Sequence, residues 1–223
     1  MAETVPLFPL GTVLLPGAPL PLHIFEPRYR QLTVDLITGA VPDKQFGVIA
    51  VREGCSPDDV PDALHPVGCT AELREVRRLP DGRYDIVTRG ARRFRLLDID
   101  ATSKPYFMAA VEFLPDTEPD DPDHLHALAA SARDAHRRYC ATAWHKDDWV
   151  EPTDDIDPAV LPHLLAADCL LPMSDRQALL EEVSPAERLK MVRRFLVRET
   201  GLLTKLRAVP APLTAYGVEH GHN

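Results

Sequence analysis

The sequence predicts an α+β protein: a small antiparallel β-barrel, closed or nearly so, followed by a helical half. Three observations carry this. The segment from Pro6 to Leu32 is long, apolar and nearly uncharged, but Pro9, Pro16, Pro19 and Pro21 break it, so it cannot be one helix. Residues 45–114 are a series of β-rich runs with turn signals between them. At Pro115–Pro122 (PDTEPDDP) the composition turns acidic and proline-rich, and helical periodicity takes over beyond it.

Thr4–Leu10 reads as the first strand, with its prolines pointing to an edge or a bulge. Gly11-Thr12 and Pro16-Gly17 are turn signals, and Leu20–Phe25 is a second strand. Pro27 suits the first turn of a helix that runs to Thr38 and stops at Gly39, with Tyr29, Leu32, Leu36 and Ile37 as its buried stripe. Gln45–Val51 is a buried strand, and the Gly-, Pro- and Asp-containing stretch from Arg52 to Pro66 is a surface loop. Val67–Leu79 is a long strand, Pro80-Asp81-Gly82 a hairpin turn, and Arg83–Arg89 the return strand. Gly90-Ala91 is expected to turn the chain again before Arg92–Ile99. Tyr106–Leu114 completes the β half.

In the helical half, His124–Ala143 has Leu125, Leu128, Ala129, Ala132 and Tyr139 at helical spacing. Trp144–Asp157 reads as irregular, and Pro158–Leu171 as a second helix. Two capping boxes follow: Ser174 with Gln177, and Ser184 with Glu187, the latter with Pro185 at the first helical position. The expected organisation is a barrel over residues 1–115, a linker at 116–122, helices over 123–208 and a flexible tail at 209–223.

Composition narrows the function classes. The chain has 223 residues, 45% hydrophobic and 26% charged, with a net charge of −9, which disfavours nonspecific binding to nucleic acid or anionic membranes. The N-terminal segment lacks a basic leader and is too broken by proline to be a signal peptide or membrane span. Four cysteines without a CxxC pair fit a reduced, cytoplasmic chain. The spacing of Cys55, His65 and Cys69 matches no compact zinc pattern, and His136 with Cys140 is only a two-ligand pair, so neither a metal nor a cofactor is expected. No serine lies in a nucleophile elbow, and no catalytic residue is nominated.

The motifs Pro6-Leu7-Phe8-Pro9-Leu10, Leu15-Pro16-Gly17 and His23-Ile24-Phe25-Glu26-Pro27-Arg28-Tyr29-Arg30 resemble the N-terminal substrate-recognition domain of the ATP-dependent Lon proteases. Phe46-Gly47-Val48, Val67-Gly68-Cys69-Thr70-Ala71, Gly90-Ala91-Arg92-Arg93-Phe94, Gln177–Glu181 and Arg188-Leu189 follow in the family's order. The resemblance implies a PUA-like β pseudobarrel before a helical bundle, and binding of unfolded or degron-tagged polypeptides, alone or with a protease complex. The sequence contains no Gly-Lys dipeptide, hence no GxxxxGK[ST] phosphate loop. A standalone, non-enzymatic copy of the recognition domain is therefore expected, without the family's ATPase and protease domains.

Glu26, Pro27 and Arg28 read as structural, framing the strand-to-helix junction. Phe8, Leu15, Leu22, Phe25 and Tyr29 are the candidate peptide-binding side chains, lining a groove between barrel and helices with strand addition at an open edge. RNA binding is the alternative, carried by Arg74, Arg77, Arg78, Arg83, Arg89, Arg92, Arg93 and Arg95. Interleaved carboxylates and the lack of an aromatic stacking run favour instead a solvated sheet face with cross-strand ion pairs.

Overall fold

The computed structural model describes residues 2–52, 54–55, 62–119, 121–144 and 149–206. In chain order these form β1 (Glu3–Leu10), β2 (Pro19–Ile24), α1 (Pro27–Thr38), a 3-10 turn at Pro42–Lys44, β3 (Gln45–Ala50), β4 (Val67–Arg78), β5 (Tyr84–Asp100) and β6 (Phe107–Phe113). The helices α2 (Pro122–Ala143), α3 (Leu161–Ala167), α4 (Met173–Glu181) and α5 (Pro185–Leu206) follow. The sheet runs β2-β5-β4-β3-β1-β6, and β6 pairs back onto β5. Five strands thus close a barrel, and β2 is added outside it along β5. The pairings are antiparallel except β1 with β3, which is parallel.

β1 sits between two partners, not at an edge as its prolines suggested. Its first half pairs with β6 up to Leu7, and its second half pairs with β3 from Leu7 onward. Pro6 and Pro9 each lie in a half that has one open side, where a missing N–H leaves no gap in the ladder. β2, with Pro19 and Pro21, pairs only with β5.

Gly90-Ala91 does not turn the chain. β5 runs straight through it for 17 residues, its first part against β4 and β2 and its last part against β6. The glycine serves close approach instead. Gly17 N–H donates to the Gly90 carbonyl at 2.8 Å, and Gly90 N–H to the Ala18 carbonyl at 2.9 Å. A Cβ on Gly90 would stand 2.1 Å from the Leu15 carbonyl oxygen. The Leu15-Pro16-Gly17 turn therefore docks directly onto the backbone of β5.

The helical half departs from expectation at two starts. α3 begins only at Leu161, because Pro162 is tolerated in a first turn and not in a helix interior. α4 begins at Met173 with Pro172 in the cap position, so Ser174 is not a cap. Its expected partner Gln177 instead donates to the Val67 carbonyl at 3.1 Å and to Glu181 at 2.7 Å, joining α4 to β4. Ser184 does cap α5, accepting from Glu187 N–H at 3.4 Å. The tail expected from residue 209 lies outside the described residues.

Alternate residues of the same strands face two clusters. Leu7, Ile49, Phe94 and Val111 form one, with Phe94 closing over Gly47 and Gly68. Phe8, Leu15, Ile24 and Phe46 face the other, which continues without a break into Tyr139, Leu161, Leu189 and Leu196 of the helices.

Candidate functional site

β4 outruns its neighbour. Its pairing with β3 ends at Glu72 opposite Gln45, while its pairing with β5 continues to Arg78. Among the described residues, no strand pairs with the other side of Leu73–Arg78. An open edge presents unpaired backbone N–H and C=O groups, and proteins commonly blunt such edges. The opposite edge of this three-stranded wing, β2, is blunted by Pro19 and Pro21; the β4 edge carries no proline.

α1 lies across this wing. Its buried stripe is Tyr29, Leu32, Thr33 and Leu36. Thr33 can be buried because its hydroxyl donates to the Tyr29 carbonyl at 2.9 Å. That rotation leaves Ile37 out of the core at 47% exposure, contrary to its expected place in the stripe. Ile37, Val34 and Thr38 of α1 face Leu73, Val76 and Tyr84 of the wing across a cavity of ≈ 580 Å³, with Lys44, Arg74 and Arg78 also lining it. Val76 is 38% exposed. Asp43 and Lys44 hold positive φ values of 57° and 51°, a backbone conformation uncommon for non-glycine residues.

The residues singled out from the sequence fall elsewhere. Phe8 and Tyr29 are buried and stack on each other, with ring centroids 3.8 Å apart at 12°. Leu15 is fully buried under the β5 contact. These three belong to the core, because the face they share is the one that packs against α1 and the helices. Leu22 is half-buried and packs against the same core. Only Phe25 is freely exposed, at 61%, beside His23 and away from the groove lining. Glu26 and Arg28 frame the helix start. Arg28 Nε donates to the Glu26 carboxylate at 2.9 Å, its guanidinium lies 4.8 Å from the Tyr29 ring centroid, and the Glu26 carbonyl accepts from Tyr29 and Arg30 N–H.

Against known families, residues 4–198 match the model described as the ATP-dependent protease La (LON) substrate-binding domain. The chain belongs to the Lon substrate-binding domain family. It is 30% identical over 205 residues to a Lon protease of Anaeromyxobacter dehalogenans, covering 89% of this chain and 24% of that protein. Lon protease 1 of Thermus thermophilus is 27% identical over 204 residues, again covering 24% of that protein. The chain thus spans about a quarter of the length of such relatives. Among solved structures, a Lon N-terminal domain protein from Xanthomonas campestris superposes with a TM-score of 0.63 at 25% identity, covering 86% of this chain and 98% of that one. The N-terminal domain of the Mycobacterium avium complex Lon protease gives 0.64 at 23% identity, covering 87% and 98%.

In this Lon substrate-binding domain the sheet arginines are mostly matched with carboxylates. Arg74 pairs with Glu72, Arg77 with Asp85, Arg83 with Asp81 and Arg95 with Glu112, while Arg92 covers the Phe113 ring at 3.5 Å. Arg93 departs from the expected solvated sheet face: it is buried to 5% exposure at the seam between barrel and helices. Its guanidinium reaches Asp116 at 2.5 Å and the carbonyls of Leu180 and Glu182 at 2.9 and 2.7 Å. These are orphan carbonyls at the C-terminal end of α4, where a cation is favoured. Arg188 of α5, fully buried, holds the other side of Asp116 at 2.5 and 2.6 Å and also reaches the Ala159 carbonyl. No spacing rule joins residues 93, 116 and 188, so the triad was invisible in sequence.

His163 is buried close to this triad, and its Nδ1 has no hydrogen-bond partner among the described residues. Burial first, then the charges of Arg188 and Arg93, lower its pKa well below the usual 6.5. The unfolded chain therefore binds the proton more readily, and stability falls as pH drops below about 6.5, by about 1.4 kcal/mol per pH unit while the folded ring stays neutral. Urea midpoints at pH 7.5 and 5.5 are expected to fall further for the wild type than for His163→Phe. Equal falls would show that His163 does not carry the acid sensitivity.

Proposed function

We propose that this domain is a non-catalytic recognition module that holds an extended, apolar polypeptide segment in the groove between α1 and β4. The observation that carries the reading is the coincidence of an apolar cavity with a strand edge that has no partner strand among the described residues. The edge offers main-chain hydrogen bonds to any extended chain, and Ile37, Val76 and Leu73 offer apolar contact to its side chains. A folded protein has already paired its backbone and buried such residues, so the groove selects unfolded or degron-bearing segments. Lys44 and Arg78, which also line the groove, favour a segment with a nearby carboxylate. The family's substrate-binding description supports this reading. Acting in the cytoplasm, the domain would serve as an adaptor or holder, passing its clients to a protease complex. Among the described residues no helix is long and apolar enough to cross a membrane.

The test is fluorescence anisotropy at tens of micromolar protein with a labelled, permanently unfolded polypeptide and a short apolar peptide. Saturable binding is expected to both. Ile37→Lys with Val76→Lys is expected to weaken binding by at least about tenfold, since losing about 1.4 kcal/mol of apolar contact is tenfold in affinity. Both residues are partly exposed, so the fold should persist, checked by circular dichroism. Unchanged binding in the double variant would remove the groove as the site.

A further inference from the structure

The open edge of β4 is closed at one end. β3 pairs with β4 antiparallel, and its first residue, Gln45, stands opposite Glu72. Past that point, from Leu73 to Arg78, β4 has no partner on this side among the described residues. β3 does not extend backwards along it, because the chain arrives from α1 through the turn at Pro42–Lys44. Asp43 and Lys44 hold φ values of 57° and 51°, far from the extended backbone of a strand, so the chain joins β4's line only at Gln45. The bare stretch is six residues, about 17 Å at the rise of a β-strand.

The two directions in which a bound chain could lie on this edge are not equivalent. A segment laid antiparallel to β4 runs in the same sense as β3 and heads at Lys44. The next place along β4, opposite Glu72, is already taken by Gln45. Such a segment either ends at Lys44 or bends away from the edge. One that ends there presents a free carboxylate. Lys44 lines the cavity at this end, and its ammonium has no carboxylate partner among the described residues. The adjacent Asp43 does not line the cavity, and Arg74 is already held by Glu72 at 2.9 Å. A segment laid parallel to β4 would instead start at Lys44 and set its terminal ammonium against that lysine. Side chains of the antiparallel segment alternate between two faces. Those turned inward meet Leu73, Val76, Val34 and Ile37; those turned outward lie beside the exposed Glu75 and Arg77.

We propose, resting on the groove as the site of binding, that it takes the carboxyl-terminal end of a polypeptide. The last residues add as a strand antiparallel to β4, apolar at alternate positions, and the terminal carboxylate is held by the Lys44 ammonium. The substrate class narrows from any unfolded segment to an exposed C-terminal tail. A folded protein with a loose apolar C-terminus is then as eligible as an unfolded one. An internal segment lacks the carboxylate and has to leave the edge before Glu72.

The test uses the full chain and a short peptide with valine at alternate positions, fluorescein at its N-terminus and a free terminal carboxylate. The same peptide is also made as its C-terminal amide and with Gly-Ser-Gly appended. In anisotropy titrations the free acid is expected to bind at least about fivefold tighter than either. Lys44→Gln is expected to abolish the preference for acid over amide. Arg78→Gln, at the other end of the edge, is expected to keep it. Both residues are exposed, and each preference is a ratio measured on one protein, so a change in its folded fraction cancels. If acid and amide bind the wild type alike and Ile37→Lys with Val76→Lys weakens both, recognition of the chain end is overturned and the groove stands. If neither form binds, both fall. A preference that survives Lys44→Gln, or that Arg78→Gln removes, also overturns the proposal.

Discussion

Asp116→Ala is expected to lose about 3 kcal/mol of stability, because breaking a buried ion pair by removing one partner leaves uncompensated charge behind. Here two guanidiniums would be stranded. Arg93 and Arg188 have side-chain exposures of 4% and 0%, and both direct hydrogen bonds at the one carboxylate. Asp116 is itself 34% exposed, which lets water enter the gap and holds the loss toward the lower end of the range for such breaks. Both arginines would keep their carbonyl partners at Leu180, Glu182 and Ala159. Those bonds satisfy donors but do not neutralise charge. Urea unfolding followed by tryptophan fluorescence measures the effect. The matched control is Asp116→Ala combined with Arg93→Met and Arg188→Met, which removes the charges together and is expected to recover a substantial part of the loss. A single variant within about 0.5 kcal/mol of the wild type would show that the triad is not what joins barrel to helices.

Gly90→Ala is expected to be about as damaging. The added methyl would stand 2.1 Å from the Leu15 carbonyl oxygen and 3.0 Å from its carbon. Backbone cannot step aside as a side-chain tip can, so the Leu15–Ala18 turn must lift away from β5. Lifting it stretches the two hydrogen bonds that join Gly17 and Ala18 to Gly90 and opens the seam around Leu14 and Leu15, both in the main core cluster. Overpacking alone costs about 1–3 kcal/mol, and each net hydrogen bond adds about 1 kcal/mol. Gly11→Ala is the control, since a Cβ there meets nothing within 4 Å. Hydrogen exchange at Gly17 should accelerate in Gly90→Ala and not in Gly11→Ala. Equal exchange in the two variants would contradict the close docking.

Much of the fold could be read from local chemistry. The prolines of the opening segment excluded a helix and pointed to short strands. Pro27 and Gly39 marked the two ends of α1, and Gly39 does hold the left-handed φ of 80° that glycine tolerates. Pro80-Asp81-Gly82 turned the β4–β5 hairpin, and Ser184 with Pro185 started α5. Where local reading failed, a distant residue had overruled it. Gly90-Ala91 resembled a turn until the Leu15-Pro16-Gly17 segment arrived from far along the chain to occupy the space of its missing side chain. Ser174 and Gln177 fitted a capping box until β4 offered Gln177 the Val67 carbonyl. Arg93 alternated with solvent-facing residues until α4 brought its orphan carbonyls over that strand.

The side chains expected to line the candidate site are mostly core. An apolar groove beside an open strand edge was the expected form of recognition, but Phe8, Leu15 and Tyr29 were its expected walls, and they are core. Large apolar side chains draw attention in a sequence, and in a folded chain they are the first to be buried. The groove is lined instead by Ile37 and Val76, side chains that partial exposure distinguishes from their neighbours. One signal was available. The run from Val67 to Leu79 is about twice the length of the run it pairs with at Gln45–Val51, so part of it had to lack a partner on one side.

The sequence by itself determined the class of most of the described elements, the α+β order and the family, because these follow from residue type, short-range spacing and the succession of motifs. Only the tertiary structure decided which edge stayed open and which arginines became a buried triad. Those outcomes depend on contacts between residues tens of positions apart, and backbone propensity carries no record of such separations. The opening segment shows both sides of this division. Its prolines dictated that it could not be one continuous helix; its packing on Gly90 and α1 dictated that Phe8 and Tyr29 would build the frame beside the groove and not the groove itself.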